Sequence, residues 1–340
     1  DKTDVSTKYL YKSKIFLFSS FPERCNRSLL FPFYSFIPYF MSIWQTPSWK
    51  KLLLVSNQAE KVIEIDNIFV EKRSIWLGKY WLFVLWVNED KKIDDKKMSE
   101  LCKKEKVLFL QIEIFNPDWV KDIEIKNFKK WYYKKFITPH TALIDVTQNE
   151  EDILKFMKPK WRYNIKLATK KWVEVQEVEK TDENIKLFYN LMLETTSRDN
   201  FNGNKFEYYK HFLENIEWSY LLLAYFEGKA IAWGIFVKDK NVSIYYYWAS
   251  TSDNNYRNLM APYLLQWTAI LKSKEFWSNY YDFLWIASPG EKDSHLAWVT
   301  DFKLKFTSLT PLVSKSYIYI ENKFMYNFLV FSKRIKKLFK

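Results

Sequence analysis

A chain of 340 residues, 48% hydrophobic and 27% charged, is long enough for two domains that each bury a core and too apolar to be disordered. Its net charge of +13, from 53 Lys and Arg against 40 Asp and Glu, calls for an anionic partner (nucleic acid, a phosphate-bearing substrate or an acidic membrane surface), the plain alternative being a lysine-rich surface. Two cysteines, Cys25 and Cys102, and three scattered histidines, His140, His211 and His295, exclude a disulfide framework and a zinc site and fit a reducing cytosolic setting, with no redox cofactor or metal.

Residues 1–41 stand apart from the rest. Ser28 to Ile43 is apolar but short of a membrane span and broken by Pro32 and Pro38, while Met41 resembles an ordinary start. The segment is therefore expected to be a leader, either translated upstream sequence or a disordered extension, with an aromatic membrane anchor as the alternative. Beyond it, strands and helices alternate. Ser48 to Ser56 reads as a helix, Lys61 to Glu71 as one alternating strand, Tyr80 to Val87 as another, Lys91 to Lys106 as a helix and Val107 to Ile114 as a strong strand. Thr141 to Asp145 is a short strand. Asn149 opens a helix with Glu150, Glu151 and Asp152 in its first turn, where acidic residues oppose the positive end of the helix dipole. Helices follow at Arg162 to Lys171, Thr181 to Thr196 and Phe206 to Asn215, the first two separated by the strand Val173 to Val178. Tyr220 to Phe226, Ala230 to Lys238 and Val242 to Trp248 form a three-stranded meander whose first turn is Glu227-Gly228-Lys229. A helix at Pro262 to Lys274, strands at Tyr280 to Ile286 and Lys315 to Ile320, and a basic terminal helix complete the chain. Helix-then-strand recurs at Met98 to Asn116 and Leu264 to Ala287, a faint internal echo.

The chain holds 16 tryptophans and 5 glycines, where ordinary usage would give roughly 24 glycines. Several tryptophans stand where glycine chemistry is wanted: Trp172 ends a helix just before a strand, Trp233 interrupts a strand, Trp248 ends one, and Trp277 separates a helix from a strand. An A+T-rich genome accounts for the abundant Phe, Tyr and Lys but not for these positions. Translation of UGA as tryptophan in a gene whose source reads it as glycine accounts for them.

A set of short segments, in order and spacing, resembles the Fem/Mur (FemABX) family of peptidoglycan bridge-forming aminoacyltransferases in its compact FemX-like form. They are Gln45-Thr46-Pro47-Ser48-Trp49, Lys160 to Ala168 with Arg162, Tyr163 and Asn164, Glu194 to Asp199, Tyr247 to Ser250, Tyr256 to Trp267, Tyr281 to Ile286, and Phe302 to Phe306. Each segment is weak alone, and together they are specific. The family usually has glycine where Trp172, Trp248, Trp277, Trp285 and Trp298 stand, whereas Trp267 matches a family tryptophan. Thr307 and Ser308 depart from the family's glycines after the Phe-Lys pair, which puts the geometry beside Lys303 in question.

The resemblance implies an α/β (α+β) fold of two GNAT-like domains in tandem, at 42–145 and 146–316, with no coiled-coil arm and residues 317–340 packing back on the first. It implies transfer of an aminoacyl group from aminoacyl-tRNA to the stem peptide of UDP-MurNAc-pentapeptide or lipid II, by a monomer without cofactor, in the cytoplasm or at the inner face of its membrane. The attacking amine, with an ordinary pKa near 10.4, must lose a proton, and the tetrahedral oxyanion needs a donor. By resemblance Lys303 is the cation at the reaction centre with Phe302 beside it, and Arg198 binds the precursor with Tyr247 as hydrogen-bonding companion. Arg257, Asn258 and the helix start at Pro262 and Tyr263 hold phosphate. Asp282, at a strand end, is a candidate proton acceptor, against substrate-assisted proton removal. The bland counterparts are an exposed strand lysine for Lys303, a helix-terminal charge for Arg198 and capping for Arg257 and Asn258. Arg162, Tyr163 and Asn164 point to structural support, and Lys333 to Lys337 to a solvated helix face that could touch tRNA or anionic lipid. Two other functions compete: a GNAT-type N-acyltransferase using acyl-CoA, disfavoured because Tyr256 to Pro262 lacks a glycine-rich pyrophosphate loop, and a non-catalytic tRNA- or RNA-binding basic protein.

Overall fold

A computed structural model of the chain describes residues 43–76, 78–88, 93–115, 125–239, 241–291, 294 and 296–338. The leader at 1–41, Cys25 and His295 lie outside the described residues. The chain runs through α1 (Pro47–Val55), β1 (Lys61–Ile65), β2 (Ile68–Trp76), β3 (Lys79–Asn88), α2 (Asp95–Lys104) and β4 (Phe109–Phe115). Next come β5 (His140–Asp145), α3 (Glu150–Phe156), α4 (Pro159–Lys170), β6 (Glu174–Val178), α5 (Asp182–Asp199) and α6 (Phe206–Asn215). Then follow β7 (Ser219–Phe226), β8 (Lys229–Asp239), β9 (Val242–Ser250), α7 (Asn254–Arg257) and α8 (Ala261–Glu275). The chain continues with β10 (Tyr280–Ile286), α9 (Ala297–Lys303), β11 (Ser314–Ile320) and α10 (Lys323–Leu338).

The helix starts follow local chemistry. Side chains of Thr46, Asp94, Asn149 and Thr181 each accept a hydrogen bond from a backbone N–H in the first turn of the helix they precede, satisfying donors that have no partner inside the helix. The stretch Lys61 to Glu71, expected as one strand, is a hairpin. Asp66 and Asn67 take φ of 48° and 60°, and two consecutive left-handed residues of this type make the tight turn that alternation alone conceals.

Two sheets result, β1-β2-β3-β4-β11 and β5-β10-β9-β8-β7-β6. In each, an antiparallel meander leads through a helical crossover (α2 in the first, the short α7 and then α8 in the second) to a parallel neighbour (β4 beside β3, β10 beside β9), and an antiparallel strand closes the edge. The echo in the sequence is thus a repeated topology. The closing strands are exchanged: β5, which follows the first sheet's strands in sequence, pairs with β10, while β11, which follows the second sheet's strands, pairs with β4 along its whole length. The strand at 140–145 therefore belongs to the second sheet rather than to the 42–145 half, because its hydrogen-bonding edge is supplied by β10. Tyr326 and Leu329 of α10 are buried in the core that also holds Phe109 of β4.

That core is shared. Trp44, Trp49, Phe83 and Phe109 from the first half pack in one cluster with Phe188, Phe212, Trp233 and Ile235 from the second. The outer face of the second sheet is covered by α4 and α8 around Trp161, Leu265 and Phe283, and the outer face of the first by Met98, Leu101 and Cys102 of α2. Burial pushes the Cys102 thiol up to about 12, so it serves as an inert apolar filler.

Trp172 and Trp277 stand at φ of 60° and 59°, as does Trp86 at 50°, in the left-handed region that costs a side-chain-bearing residue free energy. Both Trp172 and Trp277 are almost wholly exposed, so nothing packs their rings in return. Trp233 and Trp248 are outside the set of left-handed residues; Trp233 is fully buried in the shared core.

Candidate functional site

The site begins where two parallel strands part. β9 and β10 pair only from Val242–Tyr280 to Ile244–Asp282. Beyond that point β9 carries an extra residue, since Phe236 faces Tyr245 and Ile235 faces Tyr247, leaving Tyr246 without a counterpart. β10 slips register between Asp282 and Trp285, with Leu284 at φ 57°. A bulge bends its strand and re-aims the side chains that follow it. The far half of β9 borders a cavity of about 740 Å³ whose lining includes Arg198, Tyr245, Trp248, Arg257, Asn258, Tyr263, Trp298, Phe302 and Lys303.

Lys303 closes α9 and is only 6% exposed. Its Nζ donates to the carbonyl of Trp285 at 2.9 Å, beyond the last β9–β10 pair. Burial lowers its pKa to about 7, the negative charge of Asp282 opposing the shift. It is neither exposed nor on a strand, so the bland alternative of an exposed strand lysine does not hold: α9 turns it inward, and the Thr300 hydroxyl one turn earlier receives the Ala287 N–H at 2.8 Å. Phe302, which precedes Lys303, lies within 5.2–6.2 Å of the Trp161, Tyr263 and Phe306 rings.

Asp282 is buried beneath the cavity and does not line it. Its carboxylate accepts from the Thr141 hydroxyl and from the Leu284 N–H. Burial raises its pKa to about 6, against these hydrogen bonds and the charge of Lys303. Asp282 thus acts on the cavity through Lys303.

Arg198, in the last turn of α5, is engaged on three sides. Its Nε and Nη2 donate to both oxygens of Asp199 at 2.9 Å, and Nη1 donates to the Ser250 and Thr251 carbonyls at 3.2 and 3.3 Å. The expected companionship with Tyr247 is not formed. The bulge at Tyr246 puts Tyr247 on the face opposite Tyr245, where its hydroxyl donates to Tyr208 Oη at 3.1 Å inside the shared core. The two neighbouring sequence segments are instead joined by Glu194 and Thr195. Glu194 accepts from Ser252 N–H and the Thr251 hydroxyl, and the Thr195 hydroxyl donates to Ser250 O and receives Ser250 N–H, both at 3.0 Å.

Arg257 ends α7 and Asn258 follows as its cap, its carbonyl accepting from Lys171 Nζ. Met260, at φ 58°, then starts α8 with no side-chain cap. The positive end of α8 therefore lines the cavity beside Arg257, an arrangement whose dipole favours an anion, although Pro262 has no N–H and the Tyr263 N–H donates to the Met260 carbonyl. Arg162, whose role the sequence leaves open, donates through Nη1 to the Met157 carbonyl at 2.6 Å and so caps α3. Trp248 and Trp298 were not among the expected site residues; their rings meet edge to face at 5.4 Å within the lining. Their glycine-like contexts are the only sequence signal for them. Among the described residues no group of three His, Cys, Asp or Glu side chains could hold a metal ion.

Comparisons with known proteins agree with this architecture. The crystal structure of FemX superposes with a TM-score of 0.68 at 15% identity, covering 84% of this chain and 94% of that one. The C-terminal domain of a candidate lysylphosphatidylglycerol synthetase from Agrobacterium fabrum superposes at 0.54 and 11% identity, covering 85% of this chain and 96% of that one. A conserved protein of unknown function from Bacteroides thetaiotaomicron VPI-5482 does so at 0.54 and 13%, covering 81% and 90%. These likenesses show the fold. No curated protein sequence matches the chain. The model of the FemAB family matches residues 126–230 and 227–333, more than half of the chain, and the chain therefore belongs to the FemAB family.

Proposed function

We propose that this protein is an aminoacyltransferase that moves an amino acid from aminoacyl-tRNA to the stem-peptide amine of a peptidoglycan precursor. The observation that carries the reading is the cavity that brings Lys303, the uncapped start of α8, Arg198 and Arg257 together. Phosphate-bearing substrates need fixed cations of this kind. An ester attacked by an amine also needs a donor for the developing oxyanion, worth roughly 2.7–4 kcal/mol. The protonated form of Lys303, itself buried, supplies that donor. Asp282 favours the charged form of Lys303; the attacking amine loses a proton to solvent or to the substrate, and the tRNA ribose oxygen released as the amide forms takes one up to leave as a hydroxyl.

The test mixes the protein with charged tRNAs and either UDP-MurNAc-pentapeptide or lipid II and follows peptide extension. Extension is expected with one of the two acceptors. Acylation from acyl-CoA with no extension would replace this reading by the N-acyltransferase one, and tRNA binding without transfer by the non-catalytic one. Lys303→Ala is expected to slow single-turnover transfer by about a hundredfold or more with little change in precursor affinity. Unchanged turnover removes Lys303 from the chemistry.

A further inference from the structure

Helix α10 has two apolar faces. One is buried: Tyr326 and Leu329 sit in the shared core, with Tyr326 5.3 Å from the Phe109 ring. Phe324, Phe328, Phe331 and Ile335 follow one another at spacings of four, three and four residues, which places them within an arc of about 60° on the opposite side. All four are exposed, Phe324 at 80% and Phe331 at 60%. A helix that merely packs on its domain would carry polar residues there.

A second exposed aromatic element meets α10 on the side away from that stripe, because Lys333 lies about 180° around the helix from Phe324, with Tyr326 and Leu329. Lys333 Nζ donates to the Tyr133 carbonyl at 3.1 Å and lies 3.3 Å from the centre of the Tyr133 ring. This brings residues 131–133 against the last third of α10. There the rings of Trp131 and Tyr132 stack at 5.5 Å, both exposed. The two segments that meet share a charge character. Residues 126–136 contain Lys126, Lys129, Lys130, Lys134 and Lys135 and no acidic residue, and residues 323–340 contain five lysines and Arg334 and no acidic residue. The fold has thus joined two stretches, far apart in sequence, that are each basic and each expose large apolar rings.

We propose that the phenylalanine face of α10 docks on the surface of an anionic phospholipid bilayer, with α10 lying in the interfacial plane. The phenylalanine stripe enters the acyl boundary and the flanking Lys323 and Arg334 meet the headgroups. Apolar residues on one side and basic residues beside them are the requirements for such a helix. A nucleic acid would use the charge and could stack on Trp131, but it offers nothing to an aliphatic Ile335 in line with three phenylalanines. The docking is a binding property, so it stands or falls apart from the transfer reaction proposed above.

The full chain is to be co-sedimented with vesicles of phosphatidylcholine alone and of phosphatidylcholine mixed equally with phosphatidylglycerol, beside a Phe324→Ser/Phe331→Ser variant and a Lys323→Gln/Arg334→Gln variant. The wild type is expected to bind the mixed vesicles and not the neutral ones. The phenylalanine variant should bind more than about tenfold less tightly, with unchanged circular dichroism and melting temperature because both side chains are exposed. The charge variant should bind more weakly, with a shallower salt dependence. Equal binding of wild type and phenylalanine variant, or no preference for the anionic vesicles, overturns the proposal. So does either of two results in the absence of vesicle binding: a concentration-dependent dimer lost in the phenylalanine variant, or tRNA binding lost in that variant.

Discussion

At the scale of single residues, the left-handed tryptophans and Lys303 make the sharpest predictions. Trp172 and Trp277 hold φ near 60° with their rings in solvent. A left-handed conformation costs a non-glycine residue about 1–2 kcal/mol, part of which glycine returns through its larger unfolded-state entropy. Trp172→Gly and Trp277→Gly are each expected to raise stability by about 1 kcal/mol, measured by denaturant unfolding; a loss would contradict the assignment of these sites as glycine positions. The recoding reading further predicts glycine at Trp172, Trp233 and Trp248 in protein isolated from its source. Mass spectrometry of the native peptides checks this, and tryptophan there refutes it. For Lys303, the pKa of about 7 lies below the ordinary amine value near 10.4. A reaction that needs Lys303 protonated and the attacking amine neutral rises about tenfold per pH unit up to the Lys303 pKa and then levels, because each further gain in free amine is offset by loss of protonated lysine. Single-turnover rates against pH should show this break near 7. The negative charge of Asp282 raises the Lys303 pKa, so Asp282→Asn should move the break to lower pH. A break that stays in place removes Asp282 from its positioning role.

At the scale of elements, most of what organises the site is a junction between α5 and the end of β9. Thr195 is fully buried and exchanges two hydrogen bonds with the backbone of Ser250. Thr195→Val keeps the shape and leaves the Ser250 N–H without that partner, which typically costs about 1–3 kcal/mol. The variant is expected to lose stability in that range and to weaken precursor binding, since Ser250 and Arg198 share the cavity wall; an unchanged melting temperature would deny the junction its importance. The elements themselves were largely legible, because their starts carry caps such as Thr46, Asn149 and Thr181 and their interiors keep a clean period. The exceptions have physical causes. β1 and β2 merge in sequence because apolar β-branched residues flank Asp66 and Asn67 on both sides, while the left-handed turn at this pair shows only in the backbone. α9 was missed because it spans seven residues with no side-chain cap and depends on Thr300 and its packing. The bulge at Tyr246, which sends Tyr247 away from Arg198, exists only in the pairing of β9 with β8.

At the scale of the whole molecule, the exchanged strands and the shared core tie the halves together. Each sheet is closed by a strand that follows or precedes the other sheet's strands in sequence, and aromatic side chains from both halves pack in one cluster. The described region is therefore expected to unfold in one cooperative transition, with calorimetric and van't Hoff enthalpies in agreement. Two resolved transitions would show that the halves are thermodynamically separate. Sequence by itself determined the alternation of strands and helices, the family-like segments with Lys303, Phe302 and Arg198, and the cationic character of the chain. These depend on local periodicity, capping and residue identity, which neighbouring positions carry. Only tertiary structure decided that β5 and β11 change sheets, that Lys303 is buried within reach of the charge of Asp282, that Tyr247 turns into the core and that two distant basic aromatic segments meet. Each of those is fixed by pairing across tens to hundreds of residues, where burial and hydrogen-bond partners come from strands the local sequence does not name.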